Sequence, residues 1–154
     1  MRILLKLTLD CQPDAAWNAI RDPQILGQVS APLMSFASLE PDGFPASWTV
    51  GDHPVRVKLL GLFPLGTQVI GISFPKSAAG EQLMRDTGKA LSGPLSVVTS
   101  WQHSFAVSVA PGGRTLYRDE LRFSAGVFTA FMWPVYWAFW QWRAFQLKRL
   151  APTW

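Results

Sequence analysis

The chain has 154 residues, of which 49% are hydrophobic, 13% aromatic and only 16% charged, with a formal net charge of +4. Its basic residues are scattered apart from a small cluster at Arg143, Lys148 and Arg149, so the basic stripe of a nucleic-acid binder is missing and no nucleic-acid partner is expected. Cys11 is the only cysteine, which excludes an internal disulfide and a thiolate metal site and fits a reducing, cytoplasmic setting.

Residues 2–10 alternate, with Ile3, Leu5, Leu7 and Leu9 on one face and mostly polar residues on the other, predicting a half-buried strand. Pro13 and Asp14 then open a helix whose apolar face is Ala16, Trp17 and Ile20. Asp22-Pro23 ends it and can cap a second short helix reaching about Val29. Beyond Ala31-Pro32 the pattern becomes strand-like. Expected strands are 33–39, 53–62, 67–74, 81–87, 95–109 and 115–123, with turn signals at 40–43, at Phe63–Gly66 and at Ala110–Arg114. His53, at a strand start, reads as exposed. No repeat, low-complexity tract or linker breaks the chain, so residues 1–154 read as a single domain.

The stretch from Val127 to Leu150 predicts one long helix bent at Pro134. At 100° per residue Phe128, Phe131, Met132, Val135, Phe139, Trp142 and Leu150 form one apolar stripe. Trp133, Trp137 and Trp140 fall on the far side, where an amphipathic helix is polar. From Ser124 to Trp142 there are 19 residues without a charge, near the roughly 20 that span a bilayer. Pro134 and Gln141 interrupt them, and the stretch reads as a buried helix. The three tryptophans leave a dimer contact or a membrane-surface contact as alternatives. Arg143, Lys148 and Arg149 near the end read as cations complementing the helix dipole.

The order of strand, helix pair, meander of about six strands and long helix is that of an α+β layer. It resembles the START-like helix-grip superfamily, also labelled SRPBCC, which includes polyketide cyclases and dehydratases and Bet v 1-type proteins. The resemblance rests on the run from Pro13 to Pro23, on Leu59–Ile70, on Trp101-Gln102-His103 and on Tyr117-Arg118-Asp119-Glu120. It implies a curved antiparallel sheet of about seven strands gripping the C-terminal helix, with a cavity between them for an apolar or amphipathic small molecule such as a lipid, polyketide or quinone. The walls expected from the sheet are Trp48, Val55, Val57, Ile70, Ile72, Trp101, His103, Phe105, Tyr117 and Asp119. The helix would add Phe128, Phe131, Met132, Val135 and Phe139.

His103 and Asp119 carry the most chemistry. A three-residue loop at 111–113 pairs Val109 with Thr115, and so Phe105 with Asp119 and His103 with Leu121. That makes His103 and Asp119 diagonal neighbours on an apolar face, roughly 7–8 Å apart at the backbone. A buried carboxylate must be paired, hydrogen-bonded or protonated. The pair therefore reads as a polar lock on strand register, or as the acid–base machinery of a cyclase or dehydratase with Tyr117 as helper. Tyr117 and Tyr136, the only tyrosines, each read as a ligand-orienting hydroxyl or a rim residue with a wet hydroxyl. Two histidines without H-x-x-x-H spacing give no metal site. Glycine-rich nucleotide loops and a G-x-S-x-G elbow are also missing, so no cofactor is expected and no nucleophile is evident.

Overall fold

A computed structural model describes residues 1–154. Eight strands, all antiparallel, form one open sheet: β1 (Arg2–Leu9), β2 (Met34–Ser38), β3 (Gly51–Leu59), β4 (Phe63–Ser73), β5 (Glu81–Asp86), β6 (Lys89–Ala90), β7 (Ser100–Val109) and β8 (Thr115–Ser124). Their order across the sheet is β1-β8-β7-β5-β4-β3-β2, with the two-residue β6 pairing with β4 beyond the end of β5. Two short helices, α1 (Pro13–Arg21) and α2 (Pro23–Ser30), and the long α3 (Thr129–Leu150) complete an α+β architecture. No helix is long and apolar enough to cross a membrane.

Local sequence accounts for most of these elements. In β1 every second residue is buried, Ile3 through Leu9, and pairs with β8. Asp22 closes α1 and, through its carboxylate, accepts the Gln24 backbone N–H at 2.8 Å, so one residue both ends one helix and starts the next. Gly112 and Gly113 take φ of 76° and 73° in the β7–β8 connection, a left-handed geometry that costs glycine little. That turn sets the β7–β8 register as expected: Val109 faces Thr115, Phe105 faces Asp119 and His103 faces Leu121.

Several boundaries differ from expectation. Phe63–Gly66 is not a turn but the start of β4; the chain reverses one step earlier, at Leu60-Gly61, both with positive φ. His53 is buried, not exposed. Its Nδ1 meets Glu40 Oε1 at 3.1 Å and its Nε2 meets the Thr49 carbonyl at 3.0 Å, beside the Trp48 ring. Helix α3 begins at Thr129 and runs through Pro134 to Leu150.

The buried face of α3 is the largest correction. Trp140, Arg143, Ala144 and Leu147 are buried, spaced as one side of a helix. Phe128, Phe131 and Val135, expected against the sheet, are 56%, 77% and 69% exposed. Apolar residues lie all around the first half of this helix, so spacing alone could not choose the inner face. Neighbouring groups chose it instead. Trp133 donates Nε1–H to the Arg2 carbonyl of β1, and Trp142 donates to the Ala31 carbonyl beyond α2. Of the three far-side tryptophans, Trp140 is in the core, Trp133 is half-buried, and Trp137 stacks on Trp133 while 46% exposed.

Two apolar clusters result. One joins β1, β8, Val107 of β7, the helix pair and α3; the other joins Trp48 with Val55, Val57, Ile70, Ile72 and Met84. Trp17 and Phe105 pack against both.

Two glycines test this packing in opposite directions. A Cβ on Gly88 would overlap the Val69 carbonyl and crowd the Gly71 amide, so Gly88→Ala should cost about 1–3 kcal/mol in urea unfolding. Gly27 sits inside α2 with open space around its missing side chain, so Gly27→Ala should stabilise by about 0.8–1 kcal/mol in the same assay.

Candidate functional site

The site is built on the face of β7 and β8 that looks toward α3. Asp119, in the middle of β8, has no exposed surface. Its Oδ1 accepts from His103 Nε2 at 2.7 Å and from Trp140 Nε1 at 2.7 Å. Its Oδ2 accepts from the Tyr117 hydroxyl at 3.1 Å, and Arg143 Nη2 stands 3.9 Å away. Strand alternation places Tyr117 and Asp119 on one face, the β7–β8 register brings His103 diagonally across, and α3 lowers Trp140 and Arg143 from above.

The electrostatics follow from that packing. Burial pushes the Asp119 carboxyl up, but the His103 partner, its hydrogen bond, the Arg143 guanidinium and the Trp140 N–H outweigh it and hold the group below its ordinary value. Asp119 is therefore ionised at neutral pH. The Tyr117 hydroxyl is driven the other way, well above 10, by burial and by the adjacent carboxylate. Tyr136, on α3, is pushed up to about 12 by burial.

Asp86, the last residue of β5, was not singled out in the sequence. It is buried, and its Oδ1 accepts the Gly71 and Gly88 amides at 2.8 Å each. Its Oδ2 accepts Trp101 Nε1 at 3.1 Å. Between the β4–β5 and β4–β6 pairings the ladder lapses, and this carboxylate takes the acceptor position that a strand carbonyl would fill for Gly71. Burial raises its pKa against the opposing pull of the amides and of His103, which it faces directly across β5 and β7.

Between the sheet, the helix pair and α3 lies a cavity of about 140 Å³, lined by 29 residues of which 21 are hydrophobic. That is roughly ten times the volume of about 10–15 Å³ needed to admit one water. Of the expected wall, Trp48, Ile70, Ile72, Trp101, His103, Phe105, Tyr117 and Phe139 line it. Val55 and Val57 lie fully buried in the cluster around Trp48 and do not reach it. Asp119 stands behind His103 and Tyr117 and does not line it either. Met132 packs on the β1–β8 cluster, while Phe128, Phe131 and Val135 point away.

Among the lining residues that the sequence reading does not place at the site, Arg143, Trp140 and Asp86 bear most on its chemistry. Arg143, which by position reads as a dipole-complementing cation, is 5% exposed, with its guanidinium 5.3 Å from the Trp140 ring and 5.9 Å from the Phe105 ring. Trp140 falls on the far side of the helix by spacing, yet it is buried in the core. Asp86 lies near the end of the expected strand 81–87, with no pattern there to mark it as buried. The one available signal was Arg143 four residues after Phe139 and three after Trp140, at a position where the inner face of the helix could carry it. No group of three His, Cys, Asp or Glu side chains gathers as a metal site would.

Comparison with solved structures gives the fold a name. A protein of Chromobacterium violaceum matches at 18% identity with a TM-score of 0.65, over 97% of this chain and 96% of that one. Zhui, an aromatase/cyclase from a Streptomyces species, matches at 12% identity and a TM-score of 0.66, over 99% of this chain and 93% of that one. The Aha1 dimer of Colwellia psychrerythraea matches at 12% identity and a TM-score of 0.60, over 98% of this chain and 96% of that one. No protein-family model and no curated protein matches the sequence. The chain has the α+β helix-grip fold of these structures, and at these identities the likeness speaks for fold alone.

Two measurements probe the Asp119 cluster. Asp119→Ala leaves Arg143 buried without a counter-ion and three donors without an acceptor, and should cost about 3–5 kcal/mol in urea unfolding at neutral pH. Because the folded carboxyl lies below its unfolded value of about 3.9, its stabilisation is complete above that pH and is lost as pH falls toward the folded pKa. The stability gap between the native chain and Asp119→Asn should therefore close below about pH 4.

Proposed function

We propose that this protein binds an apolar or amphipathic small molecule, of the size and chemistry of a lipid, polyketide or quinone, between its sheet and α3. The observation that carries the reading is the cavity: mostly apolar walls, with His103, Tyr117, Arg143 and Asp86 supplying polar groups. Such a division, apolar for affinity and sparsely polar for orientation, is the usual design of a small-molecule site. A structural neighbour described as an aromatase/cyclase supports a small organic ligand. A single half-buried cysteine is compatible with a cytoplasmic protein.

One observation favours a second reading, an enzyme of the cyclase or dehydratase type. The His103 ring lines the cavity while Nε2 is held by an ionised Asp119, and no protein group hydrogen-bonds to Nδ1. With the proton on Nε2, Nδ1 is an acceptor suited to general-base removal of a proton next to a ligand carbonyl. Asp119 would act as a positioning residue, since His103 and Tyr117 stand between it and the cavity. A neighbour described as a dimer, together with the exposed Val127, Phe128, Phe131 and Val135, supports pairing of two copies alongside ligand binding; light scattering of the purified protein would read it.

Native mass spectrometry of protein purified without denaturant should show the chain plus a released organic mass, and the neutral dye Nile red should bind with enhanced emission. Leu95→Trp, which fills the cavity wall, should weaken dye binding at least tenfold, while Phe131→Ser on the outer face leaves it unchanged. Absence of any co-purified mass together with no dye binding would overturn the reading. For the catalytic reading, His103→Asn should keep dye binding and lose about 10²–10⁴-fold in turnover of a linear polyketone.

A further inference from the structure

Arg143 is the cavity residue whose chemistry the structure leaves incomplete. It is 5% exposed and lines the cavity, and its Nε is closed off with no acceptor in reach. The acid nearest to it, Asp119, is an ion partner only: Nη2 stands 3.9 Å from Oδ2, beyond hydrogen-bonding distance. The reason lies in how that acid is satisfied. His103, Trp140 and Tyr117 already occupy its oxygens. Asp86, the acid that lines the cavity, is likewise taken up by the Gly71 and Gly88 amides and the Trp101 indole. Both carboxylates are thus served by other groups; the Tyr117 hydroxyl stands beside the guanidinium, and its buried Nε donor is left unmet in an apolar setting. The aromatic rings of Phe105 and Trp140 flank it and restrict its plane. Lys89, exposed and also lining the cavity, makes no ion pair with any acid of the chain.

A buried cation without a hydrogen-bonded counter-ion is costly to keep, and a planar guanidinium matches a carboxylate two bonds at a time. We infer that the ligand is an apolar molecule bearing a carboxylate, bound with that carboxylate on Arg143 and its hydrocarbon body against the Ile70, Ile72, Leu95 and Phe139 walls. The inference rests on the small-molecule reading above and narrows it from any amphipathic molecule to an organic acid. Neutral quinones, sterols and alcohols would be weaker ligands, because they offer a single neutral acceptor to a charged fork. The apolar walls then determine chain or ring size, and Arg143 determines which end enters.

The experiment compares 2-naphthoate with 2-naphthamide, two probes of nearly equal shape that differ in charge, by titration calorimetry on the full chain near pH 7. The native protein should bind the acid at least tenfold more tightly than the amide. Arg143→Gln should bind the two alike, and Arg143→Lys, which keeps the charge but not the fork, should show an intermediate preference. Thermal melts of both variants report whether they fold, and the comparison on the native chain stands without either of them. Equal affinity of the native protein for acid and amide would overturn the inference while leaving the small-molecule cavity in place. A preference that persists in folded Arg143→Gln would also overturn it, assigning the charge selectivity to another group such as Lys89. Failure of both probes and of Nile red to bind would overturn the cavity reading as well.

Discussion

A carboxylate with no access to water holds the centre of this protein. Asp119 ties together the middle of β8, β7 through His103 and the C-terminal half of α3 through Trp140 and Arg143. Each of these contacts crosses from β8 to a neighbouring element of the chain, back to β7 or on to α3. An ion placed there without its donors would be prohibitively costly, so the sheet and helix can meet only in the geometry that supplies all of them together. Apolar contacts bring α3 to the sheet, but they are indifferent to its rotation. The polar contacts fix it.

The cavity is a consequence of how the two apolar clusters are joined. Neither closes fully on the other: Trp17 and Phe105 bridge them, and the space left over is walled by residues of both. The β4 side of that space is where the sheet is weakest, since the β4–β5 ladder comprises only Ile72 and Ser73 before β6 takes over at Gln68 and Val69. Asp86 makes good the missing acceptor there. A carboxylate therefore stands at each of two places where regular structure alone does not hold the walls, and both contribute to the polar character of the site.

Strand positions were legible because alternation in β1 and β8 is strict and because two glycines dictate one hairpin register. From that register followed the His103–Asp119 approach, seen in the structure as a 2.7 Å bond. The orientation of α3 was not legible. Its first half is apolar on every side, and its true inner face includes Arg143 and Gln146, which any hydrophobic count discards. What selected that face was Asp119, on another element, together with backbone acceptors at Arg2 and Ala31. The burial of His53 and Asp86 is hidden for a related reason: a buried polar group is recognised by its partners, and Glu40, Gly71 and Trp101 lie on other segments.

The indole bonds have an optical consequence. Trp140 and Trp101 donate to the two buried carboxylates, and both rings line the cavity. Indole emission responds to nearby charge and to displacement of solvent, and these two rings sit within the field of Asp119, Asp86 and Arg143. Anything entering the cavity rearranges that field at a distance of a few ångströms. The protein thus carries chromophores of its own at the place where occupancy matters, and a plain emission spectrum can register filling of the site without any attached label.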